Sequence, residues 1–118
     1  DLSRYELQRS EVIEANLRPG TRHLYPKRKF WIETDAWVVS NATQFDAQGA
    51  LWRVQETYSM TYYEVPVCGG SSVVAYDLNA RRYLAGGFSN EEPPINFFAG
   101  ELKEENFTPE ALRQSSTN

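Results

Sequence analysis

Reactive side chains are few in this chain, and they do not form a recognisable catalytic pattern. His23 is its one histidine and Cys68 its one cysteine, which leaves no Cys/His set with zinc-ligand spacing and no internal disulfide. His23 could serve as a general base only beside a positioned nucleophile or carboxylate, and the sequence identifies neither. Cys68 lies between Pro66 and Gly69-Gly70, so it is either a thiol nucleophile in a loop or a buried small apolar residue. We expect no metal site and no cofactor.

Glutamates are the remaining candidates for acid/base chemistry, because any two of them could meet across a sheet. Solvated strand faces explain most of these residues, and nothing in the sequence selects a pair. There is no phosphate-binding loop either, since Gly69-Gly70 lacks the Lys-Ser/Thr that such a loop requires. We therefore predict no catalytic residues and a protein that is not an enzyme. The glutamates in predicted strands are Glu11, Glu14, Glu33, Glu56 and Glu64.

Basic and aromatic residues are interleaved in one short stretch: Arg22, Lys27, Arg28 and Lys29 stand beside Tyr25, Phe30 and Trp31. Such a mixture can bind a nucleic-acid strand, bind an anionic lipid head group above an apolar slot, or protect an edge strand against edge-to-edge pairing. A formal charge of −4 and a pI near 5.0 disfavour nucleic acid. Lys27, Arg28 and Arg53 are the candidate head-group contacts.

The longest regular pattern runs from Leu51 to Val65 and contains neither Gly nor Pro. Its side chains alternate with a period of two, which predicts a strand. At about 3.3 Å per residue this strand would reach roughly 50 Å, so the sheet should bend, and a curled sheet with an aromatic concave face can contain an apolar ligand. Candidate ligand-binding residues are Trp52, Val54, Tyr58, Met60 and Tyr62, with Trp31 and Trp37 from neighbouring strands.

Shorter patterns predict the other elements, and together they give a mainly β fold: a curved antiparallel meander of about six strands, an incomplete half-barrel, with a short C-terminal helix. Thr108 and Pro109 should start the helix, which ends by about Gln114. Gly69-Gly70 should interrupt the sheet, and Pro26 should confine its strand to an edge or a bulge. The remaining predicted strands span Tyr5 to Leu17, Arg22 to Glu33, Trp37 to Phe45, Ser71 to Asp77 and Arg82 to Phe88.

A chain of 118 residues forms one domain at most. Strands should occupy about residues 5–88, a loop and the short helix residues 89–114, and a polar tail residues 115–118. An ordinary core is one explanation of the aromatic face, but six strands and one short helix offer too little to cover it. Because the chain opens on Asp1 and a strand pattern starts almost at once, we expect a fragment of a larger domain.

Several strings in the chain resemble a bacterial family of unknown function labelled outer-membrane lipoprotein-sorting protein. The more specific ones are Arg22-His23-Leu24-Tyr25 and Leu51-Trp52-Arg53-Val54-Gln55-Glu56, and further similar strings occupy residues 4–7, 12–15, 75–78, 82–83 and 107–113. The resemblance implies a fold similar to that of the lipoprotein carriers, whose incomplete barrel wraps a hydrophobic cavity closed by helices. It also implies a periplasmic or outer-membrane-associated protein of a Gram-negative bacterium, and it carries no catalytic residues.

Together these observations predict non-enzymatic binding or transport of an acyl chain, a lipid or a lipoprotein in the bacterial envelope. Partners would be the acyl chain and envelope transport proteins, with no nucleic acid. The alternative is a structural or interaction module that pairs through exposed sheet edges, either as a homodimer or with a partner protein.

Overall fold

A single antiparallel sheet makes up most of the structure, a computed structural model that describes residues 4–97 and 103–115. Its six strands pair in sequence order, and the sheet does not close. The predicted six-strand meander with a short C-terminal helix is confirmed. The elements are β1 Ser10–Asn16, β2 Lys27–Glu33, β3 Val39–Phe45, β4 Leu51–Tyr62, β5 Val67–Asp77, β6 Arg82–Gly86, a 3-10 turn Glu104–Phe107 and α1 Pro109–Ser115.

The sheet is an open single layer rather than half of a sandwich. Its radius of gyration is 18.0 Å, whereas a compact chain of this length would have about 13 Å. Among the residues that the structure describes, Ala42 is the only buried apolar one and Glu33 the only buried charged one. Strand pairing, and not a side-chain core, therefore holds these strands together.

Three register shifts interrupt the ladders, and each leaves one extra residue on one strand: Ser40 opposite β2, Trp52 opposite β3 and Ser71 opposite β4. Bulges of this kind bend the strand that carries them and increase its twist. Of the three, only the bulge at Trp52 lies on the long strand β4 itself.

The β4–β5 hairpin differs from the sequence prediction at the end of β4 and at the start of β5. Strand β4 ends at Tyr62 rather than Val65, and Gly69 and Gly70 lie inside β5, where they pair with Met60 and Ser59. The expected glycine break was wrong because pairing with the long β4 outweighs the weak strand preference of glycine. The Tyr62 ring lies 3.9 Å from where a Gly69 Cβ would stand, so it covers the bare glycine backbone.

The basic cluster lies on an interior strand. Strand β2 is hydrogen-bonded to β1 on one side and to β3 on the other, so the edge-protection interpretation of Lys27, Arg28 and Lys29 was wrong. Pro26 directly precedes β2, where no ladder bond requires an N–H from it. Its carbonyl instead accepts a hydrogen bond from the Leu17 N–H at 2.8 Å.

The β2–β3 turn is organised by Glu33. Its two carboxylate oxygens accept the backbone N–H groups of Asp35 and Ala36, both at 2.7 Å. Trp37 follows at φ 56°, and its side chain is 73% exposed. Trp37 therefore belongs to the turn, not to the strand in which the alternating pattern placed it.

The C-terminal helix begins as predicted. Thr108 accepts the Ala111 N–H on its hydroxyl at 3.2 Å, and Pro109 is the first helical residue. The helix extends one residue beyond the predicted end, to Ser115. Residues 116–118 of the predicted polar tail lie outside the described residues.

We expect Glu33→Ala to lower the free energy of unfolding by about 1–3 kcal/mol, because it leaves two backbone N–H groups of the turn without their charged acceptor. Glu33→Gln should lower it less, since one carbonyl oxygen remains. Urea unfolding followed by circular dichroism measures both. Glu11→Ala, on an exposed β1 position, is the control; an equal effect of the Glu33 and Glu11 substitutions would contradict the assignment.

Candidate functional site

The pairing register places most of the predicted ligand-binding residues on one side of the sheet. Directly paired residues point to the same side, and Trp31 pairs with Asn41, which in turn pairs with Glu56. Since side chains alternate along β4, Trp31 shares a side with Val54, Tyr58, Met60 and Tyr62. We call this side the aromatic face; it also carries Lys27, Lys29, Phe45, Val74, Tyr76 and Tyr83.

The seven predicted residues are not equally placed for a ligand. Trp31, Val54, Tyr58 and Tyr62 are half-buried, and Met60 is 43% exposed. Trp52 is the bulge residue of β4, and its indole N–H donates to Asp77 Oδ1 at 3.2 Å. Trp37 stands apart in the β2–β3 turn.

An apolar groove lies at the far end of β4, where the segment after β6 meets the aromatic face. We call it the Met60 groove. Its volume is about 400 Å³, and it is lined by Met60, Tyr62, Pro93, Pro94, Ile95 and Phe97, with Glu64, Ser89 and Asn96 at its polar margin. The rings of Tyr62 and Phe97 meet edge to face with centroids 4.8 Å apart, a favourable aromatic geometry. Sequence patterns gave only a surface loop for residues 90–94 and did not place it here.

A second groove lies farther back along β4, beneath the segment before β1. We call it the Glu56 groove. It has a volume of about 630 Å³ and is lined by residues 4–8, Ser10, Ser40, Asn41 and residues 56–59. Glu56 accepts hydrogen bonds from the hydroxyl groups of Tyr5 at 3.2 Å, Tyr58 at 3.3 Å and Tyr76 at 3.1 Å. The hydrogen bond to the Glu56 carboxylate raises the pKa of Tyr5 and of Tyr76, so both remain hydroxyl donors.

The candidate head-group residue Arg53 is already engaged. Its Nε and Nη2 atoms each lie 3.1 Å from Asp77 Oδ2, and Nη1 donates to the Tyr25 hydroxyl at 2.6 Å. The guanidinium also lies 4.7 Å from the centroid of the Trp52 ring. The Ala80 backbone N–H, and then Arg53 and Trp52, hold the pKa of Asp77 below its usual value. This cluster ties β4 to the turn after β5.

The other two candidate head-group residues lie on opposite sides of the sheet, because they are neighbours in β2. Lys27 is on the aromatic face, with Nζ 4.3 Å from the centroid of the Phe45 ring. Arg28 is on the other side, near Phe30. Lys29 returns to the aromatic face, where it forms an ion pair with Glu14 at 3.4 Å.

The two other candidate reactive residues, His23 and Cys68, take part in the backbone structure around them. His23 Nδ1 accepts the Tyr25 backbone N–H at 3.0 Å in the exposed loop before β2. Cys68 lies within β5, half-buried and paired with Thr61, so the loop-nucleophile interpretation was wrong. In the described ranges no three His, Cys, Asp or Glu side chains are grouped so as to hold a metal ion, and no helix there is long and apolar enough to cross a bilayer.

The open six-strand meander and its C-terminal helix define a β-rich domain whose fold is shared by a solved structure. A solved domain from Vibrio parahaemolyticus, provisionally described as an outer membrane lipoprotein-sorting protein domain, superposes with a TM-score of 0.64 over 90% of this chain and 43% of its own. The two are 18% identical, so this likeness establishes the fold.

Residues 1–113 match the family described as protein of unknown function (DUF1329). An uncharacterized protein of Pseudomonas aeruginosa is 43% identical over 114 residues, which are 97% of this chain and 25% of that protein. The chain belongs to this family, and the resemblance seen in its motifs is confirmed. It spans about a quarter of the length of this curated relative.

We expect Asp77→Asn to remove a pH-dependent part of the stability. The pKa of Asp77 is lower in the folded state, so its contribution is complete above the unfolded value of about 3.9 and is lost as pH falls through the folded pKa. Urea midpoints measured between about pH 7 and pH 2 should fall less steeply for the variant than for the native protein. The control is Asp35→Asn, in an exposed turn; parallel curves for Asp77→Asn and the native protein would contradict the prediction.

Proposed function

We propose that this protein binds the acyl chain of a lipid or a lipoprotein on the aromatic face, without catalysis, as part of lipid or lipoprotein traffic in the envelope of a Gram-negative bacterium. The observation that carries the proposal is the Met60 groove, because two residues predicted to bind a ligand line it together with Ile95 and Phe97. Concave sites lined mainly by apolar side chains are typical of small-molecule binding sites.

Removal of apolar surface from water would supply most of the binding free energy, at about 25 cal/mol per Å² before the cost of ordering is subtracted. Such binding discriminates weakly among acyl chains, since each methylene contributes a similar amount. Tyr58 extends the apolar surface from the Met60 groove toward the middle of the sheet, where Glu56 separates it from Val54 and shares a cross-strand row with Trp31, so a chain longer than the groove would pass this carboxylate. Trp52, bound to Asp77, and Trp37, in the β2–β3 turn, lie outside the proposed site.

The exposure of the sheet supports a larger carrier-like domain around it. Almost none of the described side chains are buried, and stable domains usually cover a sheet with a second layer. The curated relative is about four times as long as the matched region, which provides ample chain for such a layer. We infer that strands and helices of the same protein complete the cavity of which the aromatic face is one wall.

Location and partners follow by analogy of fold. The solved relative is provisionally described as an outer membrane lipoprotein-sorting domain, which supports a periplasmic or outer-membrane-associated position and exchange of cargo with envelope transport proteins. Of the three candidate head-group contacts, Lys27 is the one on the aromatic face, and no ion pair among the described residues includes it, so we assign an anionic head-group contact to Lys27. Arg28 faces the other side, and Asp77 compensates Arg53.

The alternative function is pairing through the sheet edges. Within the described part of the chain, strands β1 and β6 each have a neighbour on one side only, and an open edge can bind a further strand by β-augmentation. Native mass spectrometry after gentle organic extraction separates the two functions. Lipid that leaves the protein on extraction supports acyl-chain binding, whereas a dimer without bound lipid supports edge pairing.

We expect Met60→Ser to weaken the binding of a fluorescent fatty acid about tenfold, because a polar residue replaces an apolar one in the groove. The matched control is Ile13→Ser, since Ile13 lies on the other side of the sheet with an exposure of 50%, close to the 43% of Met60. Titration of the probe measures both. An equal loss in the two variants would show that the effect is not local to the groove.

A further inference from the structure

The Glu56 groove has a chemistry that an acyl-chain site does not need. A carboxylate stands in the middle of the aromatic face, between Val54 and Tyr58 on β4. Glu56 pairs across the sheet with Asn41 and Val74, so it lies between neutral neighbours on both sides. A charge at such a position is costly unless it is hydrogen-bonded or paired.

The Glu56 carboxylate is hydrogen-bonded by neutral hydroxyl groups rather than ion-paired with a cation. Tyr5, Tyr58 and Tyr76 all donate to Glu56, whereas none of the ion pairs formed in the described part of the chain includes it. Arg4 lines the same groove but forms no ion pair with Glu56, so the carboxylate stands at the wall of an open groove without a cation in direct contact. A cationic group that entered the groove would gain a favourable electrostatic interaction there.

The carboxylate also has room for another donor. Two ionised oxygens offer about four acceptor positions, and the three tyrosines take three of them. An ammonium N–H would form a charge-assisted hydrogen bond at the remaining position, which is about twice as strong as a neutral one.

The Glu56 groove and the proposed acyl site are neighbours along one strand. Tyr58 lines the Glu56 groove and Met60 the Met60 groove, and the two residues are two positions apart on the same face of β4. A ligand with a cationic head and an apolar tail would thus match the sequence of chemistry along the strand, from Glu56 to Tyr62.

We propose that Glu56, supported by Tyr58 and Tyr76, binds the ammonium group of an amine-bearing lipid head group, with the acyl chain directed toward Met60 and Tyr62. This assignment rests on the proposed acyl-chain binding and names its lipid class. A lipid whose head group is purely anionic would be disfavoured at the same place, since its charge would face that of Glu56.

The test compares two soluble short-chain lipids with identical acyl chains, dihexanoyl phosphatidylethanolamine and dihexanoyl phosphatidylglycerol, titrated calorimetrically into the purified protein. We expect the ethanolamine lipid to bind about tenfold more tightly, as one hydrogen bond to a charged group would give. Acetylation of the ethanolamine nitrogen should abolish this preference, and that comparison needs no variant.

Variants then locate the preference. Glu56→Gln keeps the shape and an acceptor oxygen but removes the charge, so the preference should disappear without weaker binding of the glycerol lipid. Tyr76→Phe removes one of the hydroxyl groups that hold Glu56 in place but leaves the charge, so the preference should become smaller without disappearing. Glu11→Gln removes a charge from the other side of the sheet and is the matched control; circular dichroism checks that each variant is folded.

The outcomes separate this assignment from the proposed function. Equal binding of the two lipids, with loss of both in Met60→Ser, would overturn the ammonium site and leave acyl-chain binding intact. If neither lipid binds, acyl-chain binding fails, and the soluble head groups glycerophosphoethanolamine and glycerophosphoglycerol decide the ammonium site alone. A preference for the former that Glu56→Gln removes would support it, and equal behaviour of the two would overturn it.

Discussion

The pairing of β4 with its two neighbours is the interaction on which the rest of the structure depends. Strand β4 pairs with β3 through its first half and with β5 from Arg53 to Tyr62, so it joins the two halves of the meander. With so few buried side chains, these ladders and the cross-strand side-chain pairs beside them provide most of the order. A sheet held in this way keeps its apolar residues available, and whatever covers the aromatic face is therefore part of the function.

The pattern of the sequence was enough to predict the sheet, because the signals involved are local. Alternation identified β4, and the hairpin before it is also held by local contacts: Asp46 Oδ1 accepts the backbone N–H groups of Gln48 and Ala50, and Gly49 has φ 79°. The inner bounds of β5 were not predictable in this way. A glycine pair marks a break only when no neighbouring strand supplies ladder partners, and whether one does is not a local property.

The candidate site was predictable where it lies on strands and not where it lies on loops. The parity of Trp31 and of the β4 residues placed them on one face, and the same parity separates Lys27 from Arg28. Phe97 carries no periodic signal, and the predicted first strand was wrong in including Tyr5, because β1 begins at Ser10 and Tyr5 lies before it in a segment without regular structure. Glu56 interrupts the alternation of apolar residues along β4 and is therefore visible in the sequence. Its hydrogen-bonded role could not be predicted, because Tyr5 and Tyr76 are distant from it in sequence.

A carboxylate at the centre of an apolar face has a consequence for selectivity. Apolar contacts alone hold an acyl chain without fixing its direction or its depth, because every methylene interacts in much the same way. A carboxylate held in place by three hydroxyl groups breaks that equivalence, since only the cationic end of a ligand can bind it. The tyrosines keep Glu56 in place before any ligand arrives, so little further ordering is required on binding. The position of the ligand along β4 is then set by its electrostatic interaction with Glu56, while its affinity comes from the apolar surface of the residues beyond Glu56.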